Sequence, residues 1–282
     1  MSEQEREQIL GLRREIAELT ARLEVRDGRI TQLVGEALDR DGELRDLQAL
    51  REVLTPAELP ARPGLDIDRA FTPAADGVAG DFYLVAPGPD KDSTVLAVGD
   101  VSGKGIEAAR RATFVRTALA TFAGFVDSPC QLLELSNQAL VERTGVSSTF
   151  VTAVAAVLHP HERRLVWASA GHPPPLRLDT GETLNGCRSA PPLGVTPLLT
   201  CDPGHEALEP GAGLLLFTDG VTEAHRPRQA LFGEQRLTDT VRELAGEPPE
   251  ALVRRLQADL HAHAGEALGD DLCIVAARVQ SD

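Results

Sequence analysis

Four aspartates, each beside a glycine, stand in short segments spread along the chain. The segments are Gly80-Asp81-Phe82-Tyr83, Gly99-Asp100-Val101-Ser102-Gly103-Lys104-Gly105, Phe217-Thr218-Asp219-Gly220 and Gly269-Asp270-Asp271. Three of the four fall at an edge of an apolar, strand-like run. An aspartate there projects a hard oxygen from a rigid element into a loop cleft. Several such carboxylates converging make a site for Mg²⁺ or Mn²⁺. A pair of such ions could neutralise a phosphoryl group and lower the pKa of a water between them, which is the chemistry phosphate ester hydrolysis needs.

The residues around the aspartates suit that purpose. Gly80, Gly99, Gly220 and Gly269 permit tight turns and close approach of backbone to a metal or a phosphate. The Val101 carbonyl can add a neutral oxygen ligand. Residues 102–105 lead into a helical run whose free N–H groups favour anions. Any one of these segments alone is weak, because Asp-Gly is common in turns. The joint set is far more specific.

Around these segments the pattern is mixed. Strands are expected at residues 94–98, 149–158, 164–168, 175–178, 213–217 and 272–279, with a hairpin at His159-Pro160-His161. Helices are expected at 106–122, 129–143, 237–244 and 249–262. Ser128-Pro129 supplies an N-cap with proline at the first helical position, and Gly145 a stop. Strands, two helices, strands, two helices and a last strand do not alternate as βαβα. That order predicts an α+β domain of antiparallel sheets with segregated helices.

The first part of the chain differs. Positions seven apart from Ile9 read Ile9, Ile16, Leu23, Ile30, Ala37, Leu44 and Arg51; the companion set reads Leu12, Leu19, Arg26, Leu33, Arg40, Leu47 and Leu54. Ten of these fourteen are large and aliphatic, which predicts a coiled coil over residues 1–54 and, most simply, a parallel homodimer. Residues 55–64 carry Pro56, Pro60 and Pro63 and read as a stiff linker. The globular domain is then expected over residues 65–282.

The bulk numbers exclude some classes. The chain has 282 residues and a formal net charge of −15, which argues against phosphate-neutralising contact with nucleic acid or an anionic membrane. No apolar run approaches the ~20 residues of a membrane span. The polar start is unlike a secretory signal. Cys130, Cys187, Cys201 and Cys273 are dispersed with no CxxC pair, so neither a structural zinc site nor a disulfide framework is expected. The expectation is a cytoplasmic protein in a reducing environment.

Taken together with Ala108-Ala109, Ala170-Gly171-His172-Pro173-Pro174 and Val221-Thr222-Glu223-Ala224, the aspartate segments resemble those of SpoIIE-type PPM phosphatases, bacterial relatives of protein phosphatase 2C. The resemblance runs from about Leu65 to Val279. It implies a four-layer α-β-β-α sandwich and two Mn²⁺ or Mg²⁺ ions. It also implies hydrolysis of phosphoserine or phosphothreonine, typically on an anti-anti-sigma factor of the STAS fold. By motif match Asp81, Asp100, the Val101 carbonyl, Asp219 and Asp270 would hold metal, with Asp100 bridging both ions and Asp271 supporting its neighbour. Asp100 and Asp219 would be central to catalysis. The match departs from the family pattern at Ala79, Leu84 and Cys273, none of them a carried-over ligand.

Other residues read more plainly. Lys104, on the loop beside Asp100, is the candidate for contact with substrate phosphate. Arg110 and Arg111 are expected on a solvated helix face. His172 is expected to shape its loop rather than act as an acid. The pairs His159/His161 and His261/His263 are expected to be solvated, and Cys273 to be core. Competing readings are a silent phosphatase-like binding module, a metallophosphoesterase acting on small molecules, and a coiled-coil scaffold. The last gives no reason for carboxylates at four strand or loop edges.

Overall fold

The computed structural model describes residues 59–73, 79–265 and 269–280. The predicted coiled coil over 1–54 lies outside these residues. The described chain runs through β1 (Leu65–Thr72), β2 (Phe82–Pro87), β3 (Thr94–Val101), α1 (Ile106–Ala123) and α2 (Pro129–Thr144). It continues through β4 (Val151–His159), β5 (Arg164–Ala170), β6 (Leu176–Arg177), β7 (Gly204–Ala207) and β8 (Gly213–Phe217). The short α3 (Asp219–Glu223), α4 (Gly233–Glu243), α5 (Pro249–Ala264) and β9 (Leu272–Val279) complete it.

Two antiparallel sheets form, one ordered β1-β9-β8-β6 and the other β2-β3-β4-β5-β7. The strands β2, β3, β4, β5, β8 and β9 are largely apolar because both faces are covered, and successive side chains take opposite faces. Along β3, Val95 and Ala97 join the cluster made with Val115 and Leu119 of α1 and Leu132 and Leu133 of α2. The alternate residues Leu96 and Val98 join Leu216 and Val275 of the other sheet. Along β9, Cys273 and Val275 face that inter-sheet core, whereas Ile274 and Ala276 pack with Leu252, Leu256 and Leu260 of α5. The layers are therefore helix, sheet, sheet, helix, the architecture that the family resemblance implies.

Local chemistry fixes the helix ends. The Ser128 hydroxyl accepts from the Gln131 N–H at 3.3 Å, and Pro129 opens α2. Gly145, at φ 70°, closes it with its N–H on the Val141 carbonyl at 2.8 Å. Residues 59–64 are held against the sheets: Arg62 donates to Thr94 Oγ1 at 3.0 Å and to the Ser93 carbonyl at 2.6 Å.

Two expectations need correction. Cys130 and Cys201 form a disulfide, so the four cysteines are not all free thiols. The sequence separation of 71 hid the pair from a spacing argument; the fold brings the start of α2 beside the segment before β7. His159 is not solvated. It is 4% exposed at the end of β4, its Nε2 2.7 Å from Asp127 Oδ1, while His161 in the same turn is exposed.

Candidate active site

Strand register brings the first two aspartates together. Phe82 pairs with Gly99, which places Asp81 and Asp100 at the same end of the β2–β3 ladder. A Cβ on Gly99 would strike the Phe82 ring and the Thr152 carbonyl, so the ladder tolerates no side chain there. A Cβ on Gly80 would sit 3.1 Å from the Val101 carbonyl oxygen and 3.5 Å from Asp100 Oδ1. The glycine thereby lets the Asp81 segment lie directly against the backbone oxygen and carboxylate it must face. Beyond Val101, the Ser102 hydroxyl accepts from the Phe150 N–H at 2.8 Å and pins the turn that carries Lys104, which is exposed.

The other sheet delivers the second pair. Phe217 pairs with Ile274, and the Thr218 N–H donates to the Cys273 carbonyl at 3.0 Å. Asp219 begins α3 and Asp270 lies just before β9. A Cβ on Gly220 would land on the Asp271 carbonyl oxygen, so glycine alone lets α3 start this close to the 269–271 segment.

Hydrogen bonds join the two halves. The Thr218 hydroxyl donates to Asp81 Oδ2 at 2.7 Å and accepts from the Cys273 N–H at 3.1 Å. Buried Asp271 accepts from the Gly80 N–H at 2.6 Å, and its own N–H donates to Asp270 Oδ1 at 2.9 Å. Its carboxylate therefore anchors the Asp81 loop across the sheets, a link absent from the sequence reading, which gave it only the support of its neighbour. His172 makes a further link. It is buried, with Nε2 3.0 Å from the Phe217 carbonyl and Nδ1 2.9 Å from Thr152 Oγ1. Thr152 is the cross-strand partner of Asp100. Burial pushes the imidazole down to about 4, against the opposing Phe217 hydrogen bond, so the ring is neutral near pH 7. Nε2–H then donates to Phe217, Nδ1 accepts from Thr152, and neither nitrogen is left for acid catalysis.

The carboxylates disfavour one another's charge. Burial raises Asp81 well above the usual carboxylate range; Asp100 adds to this and the Thr218 hydrogen bond opposes it. Asp100 is pushed up to about 6 by burial, then by Asp219 and Asp270. Asp219 is raised by burial and by Asp270, against the N–H groups at the start of α3. A donor set of oxygens only, crowded enough to retain protons, fits a hard divalent cation, whose charge would reverse the repulsion.

Residues 90–280 match the family profile of stage II sporulation protein E (SpoIIE), well over half of the chain. This chain belongs to the SpoIIE family. Its β-sandwich is the family's PPM-type phosphatase domain, with Asp81 lying just ahead of the matched stretch. Among curated relatives, the chain is 28% identical over 239 residues to protein IcfG of Synechocystis sp., covering 75% of this chain and 37% of that one. It is 27% identical over 221 residues to the phosphoserine phosphatase RsbU of Bacillus subtilis, covering 75% of this chain and 65% of that one. The chain thus spans about a third and about two thirds of these relatives' lengths. Among solved structures, the SiaA-PP2C domain of Pseudomonas aeruginosa superposes with a TM-score of 0.74 at 22% identity, covering 88% of this chain and 99% of that one. The RsbU and RsbW domains of Rv1364c from Mycobacterium tuberculosis give 0.66 at 27%, covering 78% and 61%. RsbX in complex with magnesium gives 0.60 at 15%, covering 79% and 99%.

Proposed function

We propose that this SpoIIE-family chain is a metal-dependent protein phosphatase acting on phosphoserine or phosphothreonine. The observation that carries the reading is the meeting of Asp81, Asp100, Asp219 and Asp270 from two sheets, with Asp81, Asp100 and Asp219 raised by burial and by acidic neighbours. These four, with the Val101 carbonyl, would hold two Mn²⁺ or Mg²⁺ ions, Asp100 contributing to both. The ions would supply charge neutralisation at phosphorus and an activated water. Asp100, near the end of β3, and Asp219, at the start of α3 just after β8, take the central catalytic role, the charge of Asp219 being the largest acidic influence on Asp100. Thr218, Asp271 and His172 hold the two halves in register. Lys104 meets the substrate phosphate as a point charge.

Similarity to a phosphoserine phosphatase supports a phosphoprotein substrate, and we assign that substrate to the phosphorylated STAS-type regulators. Residues 1–54 would pair two copies of the chain, and the protein would act inside the cytoplasm. Among the described residues no helix is long and apolar enough to cross a membrane.

The test is hydrolysis of p-nitrophenyl phosphate with Mn²⁺, with Mg²⁺ and with EDTA, by wild type, Asp100→Asn and Asp219→Asn. Turnover that needs metal and falls at least ~100-fold in both variants, the scale of losing a main charge-stabilising group, supports the reading. Turnover indifferent to EDTA or to both substitutions removes it. Release of phosphate from a phosphoserine-bearing STAS protein, measured with the same variants, then tests the substrate class.

A further inference from the structure

His159, Asp127 and Asp90 meet at the end of the β2–β3–β4 ladder opposite the catalytic carboxylates. Asp100 pairs with Thr152, and His159 lies seven residues further along β4. At ~3.4 Å per residue that is about 24 Å away. The three side chains come from separate places. Asp90 sits in the β2–β3 turn, Asp127 in the α1–α2 connection, and His159 at the close of β4. Their ligand atoms all lie within 4.8 Å of one another.

The histidine is the decisive member. Its side chain is 3% exposed, its Nε2 lies against the Asp127 carboxylate, and a ring nitrogen lies within 4.8 Å of an Asp90 oxygen. Nε2 is 2.7 Å from Asp127 Oδ1, a contact that counts as an ion pair only if the ring is protonated, and it has no hydrogen-bond partner among the described residues. A buried ring nitrogen without a hydrogen bond is costly to leave so, and an ion placed between it and the carboxylates would satisfy it. Arg164 engages the other Asp127 oxygen, Oδ2, at 3.2 Å and leaves Oδ1 for the cluster. The Asp90 turn is itself fixed: Ser93 Oγ accepts from the Asp90 N–H at 3.1 Å and donates to the Asp90 carbonyl at 2.9 Å.

We infer that Asp90, Asp127 and His159 form a second metal site that takes a first-row divalent transition ion such as Zn²⁺. One imidazole and two carboxylates suit such an ion better than Mg²⁺, which prefers oxygen alone. Bonds of about 2.1 Å in a tetrahedron put ligand atoms roughly 3.4 Å apart. The His159–Asp127 contact would open by less than ~1 Å and Asp90, exposed and free to swing, would close in; water completes the fourth position. The bound ion satisfies the buried nitrogen and cross-links a turn, a helix connection and a strand end. The site is independent of the phosphatase chemistry.

The experiment uses the full chain carrying Asp100→Asn and Asp219→Asn, so that the catalytic centre does not compete. Zn²⁺ is titrated by calorimetry and Co²⁺ by its visible absorption band. One equivalent should bind, with affinity falling at least tenfold on adding Asp90→Asn, Asp127→Asn or His159→Gln, and the Co²⁺ band should be lost. Because His159 is buried, His159→Gln is checked by thermal melting; Asp90, exposed in its turn, gives the same answer without that risk. Absence of Zn²⁺ binding, or binding undiminished by Asp90→Asn and Asp127→Asn, overturns the proposal and leaves a plain Asp–His–Arg contact.

Discussion

Burial and three acidic neighbours, Asp219, Asp270 and Asp271, raise Asp100 against a hydrogen bond with Asp81, so its protonation is tied to the stability of the metal-free protein. Its ordinary value of 3.8 becomes about 6 in the fold. For an acid raised in this way, the folded state holds the proton more tightly than the unfolded one. The penalty is absent below pH 3.8, grows through the window up to 6, and is complete above it. Lowering the pH from 7 to 5 should therefore stabilise the metal-free protein by on the order of 1 kcal/mol from this group. Thermal melts in EDTA should show a higher Tm at pH 5 than at 7, and saturating Mn²⁺ should reverse that order. A metal-free protein less stable at pH 5 would mean that repulsion among these carboxylates does not govern it. Thr218 acts on the neighbouring carboxylate. Thr218→Val removes a hydroxyl that bonds buried Asp81 and should weaken Mn²⁺ by about tenfold, the effect of losing ~1.4 kcal/mol; Thr218→Ser should restore it. Equal half-saturating Mn²⁺ in the valine and serine variants would show that the hydroxyl does not prepare Asp81. The four aspartates were legible because glycines and apolar runs frame them. The bonds from Asp271 to Gly80 and from His172 to Thr152 were not, since the partners lie far apart in sequence and only the sheet packing brings them together. His159 was misread for a related reason: a turn histidine is ordinarily wet, and nothing in the sequence shows Asp127 folding over it.

Strands with both faces buried carry no polar alternation, which limits what a sequence shows at the scale of elements. β4, β8 and β9 were found from their apolar runs, whereas β7, Gly204–Ala207, is short and largely polar and went unmarked. Helices were clearer where caps announced them, as at Ser128-Pro129 and Gly145. The disulfide belongs to this scale. It ties the first turn of α2 to the segment before β7 across 71 residues. Closing a loop of that length removes unfolded-state freedom worth about 4 kcal/mol in the chain-entropy account. The double substitution Cys130→Ser with Cys201→Ser should lower Tm by on the order of 10 °C. It should leave turnover intact, since neither cysteine meets a carboxylate of the site. Thiol titration of the native protein should find Cys130 and Cys201 reactive only after reduction. If both react beforehand, the crosslink does not form in solution.

For the whole molecule, the question is whether the sandwich holds the site without the heptad segment. Every residue assigned to the site lies within 80–271, and the hydrogen bonds described above that join its halves run between the two sheets or the segments next to them. The three apolar clusters that set the layers draw on residues from Leu59 to Val279. The sensible fragment begins at Leu59 rather than Leu65, because Arg62 bonds to Ser93 and Thr94 and the Gly64 carbonyl accepts from the Gln280 N–H at 3.0 Å. Residues 59–282 should fold, sediment as a monomer and keep metal-dependent hydrolysis of p-nitrophenyl phosphate, while the full chain should sediment as a dimer. The heptad pattern over residues 1–54 is the reason for expecting the difference. A fragment that still dimerises would move the contact to the sandwich. A folded monomer without turnover would instead mean that pairing through the heptad segment, and not the sheets alone, brings the carboxylates into working order.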